Sequence, residues 1–272
     1  MVFIGNSRVL VGWSPDVPNR PNEKVYNLAC PAMTLSEIRE YLHFACLVHT
    51  PKKVFIGLDI THFGKYIECA SEEKEKLHIL AQVADSPILQ VYAFKDDFQL
   101  NRSIFALLRK KMKEKSSGDV CYKGWDKYRG MRKIPINKIK MDLINEKKKQ
   151  NVQHLDLKSW ECLCDIHDML RSKEIDVTVF FNPLMKEYND IVMSSWGREE
   201  VMCIKQKVAN LFGKVYDFNI ENKFTKNYGL YSDISHYNVE MGKLMKAAIF
   251  GECADKTIVN ILYSNDKNGI SQ

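Results

Sequence analysis

The feature that most constrains the fold of this chain is an alternation between short apolar runs and longer segments with helical periodicity. The apolar runs, rich in β-branched and aromatic residues, occupy residues 2–5, 24–29, 53–59, 176–182 and 214–219. Runs that are apolar on both faces are typical of buried parallel strands, because antiparallel strands more often alternate apolar with polar residues. The helical segments occupy residues 36–48, 155–170, 199–211 and 238–249. This alternation predicts a three-layer α/β/α fold with a five-stranded, mostly parallel, flavodoxin-like sheet.

Two of the helical segments carry recognisable end signals. Thr34 stands at the start of the first one, and Glu37 follows three residues later, which is the pattern of a capping box. Gly251 follows the last helical segment, a position where glycine commonly ends a helix. The sequence therefore predicts where the first of these helices begins and where the last one ends.

Residues 60–150 interrupt the alternation and are too long for one strand-to-helix connection. They contain helix-like stretches at 72–84 and 97–113 and two basic runs at 109–111 and 147–149. We interpret the chain as one domain, residues 1–272, with 60–150 as an inserted helical or irregular segment over one end of the sheet. The basic runs are interpreted as solvated helix ends; the alternative is a basic lip that attracts an anionic substrate or contacts a membrane surface.

Composition excludes several classes of protein. The net charge of +6, from 40 basic against 34 acidic residues, is too small an excess to indicate nucleic-acid binding. No apolar stretch reaches 18 residues, so no transmembrane segment is expected. No dinucleotide-binding fingerprint occurs, and no cofactor is predicted. Cys162, Cys164 and His167 lack zinc-finger spacing, so helix packing is favoured there over a metal site.

The eight cysteines are scattered without a CxxC pair, which favours reduced thiols in a cytoplasm-like compartment. The chain begins one residue before its first predicted strand. On these residues the interpretation is a cytoplasmic protein that starts at Met1.

Chemically useful side chains follow several of the predicted strands. In open parallel sheets, functional groups gather beyond the carboxyl ends of the strands. Ser7 follows the first strand, and Asp233 and His236 follow the fifth after a loop. A serine becomes a good nucleophile when a histidine takes its proton and a carboxylate orients that histidine. The alternative is structural, because Gly-x-Ser after a strand is common and both Asp233 and His236 are also suited to capping a turn or helix.

The block order resembles that of the SGNH (GDSL-like) hydrolase superfamily. The blocks are Gly5-Asn6-Ser7-Arg8, Asn27-Leu28-Ala29-Cys30-Pro31-Ala32, Gly57-Leu58-Asp59 and Asp233-Ile234-Ser235-His236-Tyr237. The closest likeness is to the bacterial branch akin to proteins that transfer acyl groups to cell-envelope polymers. Members of that branch often carry an upstream membrane anchor, so the resemblance implies an envelope-associated protein whose anchor is missing here, as the alternative to a cytoplasmic protein. The resemblance covers nearly the whole chain in block order, although residues 60–150 contribute no motif.

The resemblance implies that Ser7 is the nucleophile, His236 the general base and Asp233 its orienting partner. Ala32 takes the place of a glycine whose backbone N–H faces the oxyanion. Asp59 takes the place of an asparagine donor, and a carboxylate there would repel the oxyanion. Asn182 or Arg8 would then have to supply the missing donor.

Arg8 has two interpretations from the sequence. It pairs with a local carboxylate such as Asp59, or its guanidinium forms a bidentate contact with a phosphate or carboxylate of the substrate. The pairing is favoured slightly, because a carboxylate at this rim needs a cation. His62, just beyond Asp59, is interpreted as a loop histidine, with a role behind the site as the alternative.

The expected function is a serine esterase or O-acyltransferase acting on a small-molecule or polysaccharide ester. The alternative is a catalytically weak member that serves as a binding or assembly protein in envelope polysaccharide modification, which the residues at positions 32 and 59 favour. A nucleotide-binding flavodoxin-like protein is a third class, which the first block disfavours because it is not a dinucleotide fingerprint.

Overall fold

The computed structural model describes residues 1–16, 23–64, 121–122, 125–131, 135–148 and 152–265. Its strands are β1 (Val2–Gly5), β2 (Tyr26–Asn27), β3 (Lys53–Leu58), β4 (Cys121–Tyr122), β5 (Trp125–Asp126), β6 (Asp176–Phe181), β7 (Lys214–Asp217) and β8 (Asn260–Tyr263). Its α-helices are α1 (Ser7–Gly12), α2 (Leu35–His49), α3 (Lys127–Met131), α4 (Ile136–Lys147), α5 (Leu157–Ser172), α6 (Lys186–Trp196), α7 (Arg198–Phe212) and α8 (Val239–Ile249).

A mixed sheet forms the centre of the fold, with strand order β2-β1-β3-β6-β7-β8. The strands β2, β1, β3, β6 and β7 are parallel, and their order is that of flavodoxin-like sheets. This confirms the three-layer α/β fold with a mostly parallel sheet. The predicted count of five was wrong, because β8 adds a sixth strand antiparallel to β7. β8 lies at the sheet edge, where its apolar residues Ile261 and Leu262 are half-buried and Tyr263 is exposed.

The two faces of the sheet carry separate hydrophobic cores, because successive side chains of a strand point to opposite faces. Val2 and Ile4 of β1 face a core shared with α2, α5 and α7. Phe3, between them, faces a second core shared with α1 and α8. Helices therefore cover both faces, and the carboxyl ends of the parallel strands are left to form one edge.

The helices agree with the sequence in most places. The predicted segments correspond to α2, α5, α7 and α8, with ends that differ by one or two residues. Thr34 and Glu37 form the predicted capping box at the start of α2. α1, α3, α4 and α6 were not predicted; α1 has only six residues, too few to show a helical period.

Gly5 permits the abrupt change from β1 to α1. Its φ of +155° lies in a region that L-residues rarely adopt, and an added Cβ would stand 2.7 Å from the carbonyl oxygen of Gly57. A larger residue at position 5 would push β1 and β3 apart. The sharp turn brings Ser7 to the carboxyl edge of the sheet within two residues of the strand.

Parts of the predicted insertion lie outside the described residues, namely the helix-like stretches 72–84 and 97–113 and the basic run 109–111. Within 60–150, the structure describes a 3₁₀ helix at Ile60–Phe63, the β4–β5 pair, α3 and α4. Lys147 ends α4 and is exposed together with Lys148. Among the described helices, none combines the length and the apolar character needed to cross a bilayer.

Candidate active site

Ser7 is the first residue of α1 and follows β1 by a single intervening residue. That residue, Asn6, caps the helix: its side-chain oxygen accepts the backbone N–H of Arg8 at 3.0 Å. The N–H of a residue at the first helical position has no acceptor within the helix. The half-buried Ser7 therefore presents both its hydroxyl and a backbone donor at the carboxyl edge of the sheet.

His236 lies directly beside Ser7, although 229 residues separate them in sequence. The distance from His236 Nε2 to Ser7 Oγ is 2.8 Å. The other ring nitrogen, Nδ1, lies 2.8 Å from both carboxylate oxygens of Asp233. The structure thus brings together the three residues for which the sequence indicates nucleophile, base and orienting carboxylate.

The loop that carries His236 is held by the side chain of Asp233 itself. Asp233 Oδ1 accepts the backbone N–H groups of Ser235 and His236 at 2.8 and 2.9 Å, and the Ser235 hydroxyl at 3.1 Å. An aspartate that bonds to the backbone two or three residues ahead closes a tight turn. The Asp-x-x-His spacing therefore builds the turn and orients the imidazole with the same carboxylate.

The electrostatics of Asp233 favour its charged form. Burial opposes ionisation, but the hydrogen bonds from His236 and from the Ser235 and His236 backbone outweigh it and hold the pKa of Asp233 well below its ordinary value. An ionised carboxylate only accepts hydrogen bonds, so His236 Nδ1 carries the ring hydrogen. Nε2 is then the acceptor for the hydrogen of Ser7 Oγ.

Asp59 is buried beneath the rim and bound to the framework. Its Oδ2 lies 2.9 Å from Arg8 Nη1 and accepts hydrogen bonds from the side-chain amides of Asn6 and Asn182. Only 4% of its surface is exposed. Asp59 stands where the resemblance places an asparagine donor, and in agreement with the sequence expectation its carboxylate, paired with Arg8, accepts hydrogen bonds and offers none.

Arg8 takes the first of its two sequence interpretations. Its guanidinium pairs with Asp59, and its Nε donates to the carbonyl oxygen of Ser235 at 2.8 Å. Burial disfavours the charge of Arg8, but Asp59 outweighs this and raises its pKa above the ordinary value. Two of the three guanidinium nitrogens are thus engaged inside the protein.

Asn182 is also occupied. Its Nδ2 donates to Leu58 O at 3.2 Å and to Asp59 Oδ2 at 3.3 Å, while its Oδ1 accepts the hydroxyl of Tyr237 at 2.8 Å. With 1% of its surface exposed, Asn182 is not placed to bind an oxyanion. The sequence proposal of Asn182 as a substitute donor is corrected on this ground, because both amide hydrogens serve internal acceptors.

Ala32 lies at the turn before α2 in a left-handed conformation, with φ of +53°. This is the position where the family resemblance places a glycine. An L-residue with a Cβ is strained in this region, by roughly 1–2 kcal/mol. The backbone N–H is still present, so Ala32 keeps the one group that its proposed role requires.

Replacing Ala32 with glycine is expected to stabilise the protein. Relief of the strain exceeds the extra flexibility that glycine gives the unfolded chain, leaving a gain of several tenths to about 1 kcal/mol in the free energy of unfolding. Urea denaturation measures it. Glu174, with the same φ of +53° at the turn before β6, provides the matched control Glu174→Gly. A loss of stability in Ala32→Gly would contradict the strain.

Two participants were missed from the sequence. Asn6 and Tyr237 both bond to the buried network, Asn6 to Asp59 and Tyr237 to Asn182. Asn6 carried a usable signal, since asparagine is a preferred helix cap and stands between two residues already singled out. The contact of Tyr237 joins residues 55 apart, and no local pattern indicates it.

His62 lies behind the site and not in it. Its Nδ1 accepts the backbone N–H of Asp59 at 3.1 Å, which fixes the turn after β3. Burial lowers the pKa of His62 and outweighs the opposing effect of Asp59, so the neutral ring is favoured. Cys162, Cys164 and His167 lie on α5, and the described residues contain no group of three potential metal ligands.

Comparisons with known proteins give no family for this chain. A scan against protein-family models finds no match. A search of curated proteins finds no significant match either.

Proposed function

We propose that this protein is a serine ester hydrolase or O-acyltransferase that forms an acyl-enzyme on Ser7. The observation that carries the proposal is the unbroken line of contacts from Asp233 through His236 to Ser7, with 2.8 Å at each step. These distances lie within the range needed for proton transfer between a nucleophile and its base.

The reaction follows from the roles that these atoms can take. Ser7 Oγ attacks the ester carbonyl carbon while His236 Nε2 takes the hydroxyl proton. The tetrahedral intermediate then expels the alcohol, which receives that proton from Nε2, and an acyl group stays on Ser7. Water or a sugar hydroxyl then attacks the acyl carbonyl carbon and gives its proton to Nε2. The second intermediate breaks its bond to Ser7 Oγ and releases the acid or a new ester, and Ser7 Oγ takes the proton back from Nε2.

The negative charge on the intermediate needs donors. The backbone N–H of Ser7 is suited to this, and the family resemblance adds the N–H of Ala32. The buried Asp59 contributes no donor, so the oxyanion site proposed here depends on backbone groups. The ester substrate is proposed as a small molecule or a polysaccharide, on the resemblance alone.

Labelling with an alkyl fluorophosphonate tests the proposal. Ser7 Oγ bonds to phosphorus and fluoride leaves, so wild-type protein should gain one phosphonyl group located on Ser7 by peptide mass spectrometry. Ser7→Ala should not be labelled, whereas Ser172→Ala, a change at an exposed serine at the end of α5, should react like the wild type. Equal labelling of wild type and Ser7→Ala would overturn the proposal.

A second candidate function is a catalytically weak binding or assembly protein. The absence of a donor on the Asp59 side chain favours it, since loss of one oxyanion donor typically costs about 3–4 kcal/mol of transition-state stabilisation. Hydrolysis of short-chain nitrophenyl esters separates the two. Turnover that disappears in His236→Ala would exclude the binding protein, and labelling of Ser7 without turnover would favour it.

A further inference from the structure

We propose that Asp59 is a positioning residue whose buried carboxylate holds the residues on both sides of Ser7 and, through Arg8 and Asn182, the residues on both sides of His236. The inference rests on the proposed function, because it assigns Asp59 a task in bringing the nucleophile and the base together. It differs from the oxyanion role that the family resemblance implies for this position.

The contacts around Ser7 come first. Asn6, on one side of Ser7, donates its side-chain amide to Asp59 Oδ2. Arg8, on the other side, places Nη1 at 2.9 Å from the same oxygen. The short segment that carries the nucleophile is therefore fastened to the end of β3 at both of its neighbours.

The contacts around His236 lead back to the same carboxylate. Arg8 Nε donates to the carbonyl oxygen of Ser235, the residue before His236, at 2.8 Å. Asn182 donates to Asp59 and accepts the hydroxyl of Tyr237, the residue after His236, at 2.8 Å. One carboxylate thus connects segments from the beginning, the middle and the end of the chain.

These bonds are well suited to fix a geometry. Asp59, Asn182 and Tyr237 are each at most 4% exposed, and Arg8 is 7% exposed, so water competes weakly for their hydrogen bonds. The bonds to Asp59 involve a charged acceptor, which makes them stronger than neutral ones. Removal of one partner from a buried ion pair leaves the other charge uncompensated, so the surrounding contacts shift.

The variant Asp59→Asn separates the two roles because they predict opposite results. If this position served the oxyanion role that the resemblance implies, an asparagine of nearly the same shape would restore the donor and speed the reaction. It also leaves Arg8 without its counter-charge, and the positioning role therefore predicts a slower reaction. A displacement of about 1 Å at a catalytic group typically costs roughly 10²-fold in rate.

The experiment measures the rate constant and the final extent of fluorophosphonate labelling, together with kcat and KM for a nitrophenyl acetate. For Asp59→Asn we expect a labelling rate constant and a kcat about 10²-fold lower, with KM and the final extent of labelling close to those of the wild type. A purely structural role would lower the final extent of labelling and leave the rate constant of the folded molecules unchanged.

Two further variants complete the test. Arg8→Lys keeps the charge but offers one nitrogen, which cannot bridge Asp59 and the Ser235 carbonyl, so a smaller loss of rate is expected. Asp217→Asn breaks another buried ion pair, with Lys205, in which both side chains are 2% exposed. It should lower stability without changing the labelling rate constant, because its contacts do not include the Ser7 or His236 segments.

The outcomes are distinct. If Asp59→Asn reacts as fast as the wild type or faster, the positioning role is overturned while the proposed function stands. If Asp59→Asn does not fold, Arg8→Lys decides: an unchanged rate constant overturns the inference and a reduced one supports it. If the wild type is not labelled on Ser7, the proposed function falls, and the inference falls with it.

Discussion

Replacing His236 with alanine is expected to lower the turnover of a nitrophenyl ester by about four to six orders of magnitude. Ser7 Oγ stands 2.8 Å from His236 Nε2, and no other described side chain forms a hydrogen bond with this hydroxyl. Without a base, the proton of the serine must pass to water, and the attack on the carbonyl carbon becomes slow. Steady-state kinetics with purified protein measures the change in kcat.

The double variant Ser7→Ala/His236→Ala strengthens this test. Residues that act as one unit give non-additive losses, so the double variant should be about as slow as the slower single variant. The matched control is His167→Ala on α5, which should leave kcat close to that of the wild type. His167 Nδ1 also lies 2.8 Å from a carboxylate oxygen, that of Asp168. If losses in the double variant were additive, Ser7 and His236 would be acting independently and the proposed mechanism would be contradicted.

Local patterns predicted most of the fold. Runs such as residues 53–59 are apolar on both faces because helices cover the sheet on both sides. Thr34 marks the start of α2 in the sequence because its capping hydrogen bond joins residues within one helical turn. β8 was not predicted: as an edge strand it buries less of its surface than the central strands, and its apolar residues 261–263 are half-buried or exposed. The sequence therefore predicts an element where its signal, a run of buried residues or a helix cap, lies within a few consecutive residues.

The candidate site was predictable in part for the same reason. Ser7, Asp233 and His236 were found because the carboxyl ends of parallel strands share one edge, and because the resemblance pointed to the same blocks. The network behind them was harder to foresee. The bond from Arg8 to Ser235 joins residues 227 apart, and the role of Asn182 depends on which neighbours occupy its two amide hydrogens. Such pairings depend on three-dimensional packing, which a single sequence does not record.

Replacing Asp233 with asparagine is expected to lower kcat by about 10⁴-fold while leaving the loop folded. In the structure, Oδ1 accepts two backbone N–H groups and Oδ2 faces His236 Nδ1. An asparagine oxygen would keep the backbone bonds, which places the amide NH₂ opposite Nδ1. That amide donates, so the ring hydrogen moves to Nε2, where it blocks the transfer of the Ser7 proton.

Urea denaturation at two pH values provides the second measurement for this variant. The pKa of Asp233 is lower in the folded protein than in the unfolded chain, so its charge contributes stability that is present above about pH 4 and is lost as the pH falls. The stability difference between wild type and Asp233→Asn should therefore be smaller at pH 3 than at pH 7. Asp156→Asn is the matched control, because Asp156 Oδ2 similarly accepts the backbone N–H and hydroxyl of Ser159. A kcat of Asp233→Asn within tenfold of the wild type would contradict the orienting role, since the histidine would then need no carboxylate to select its tautomer.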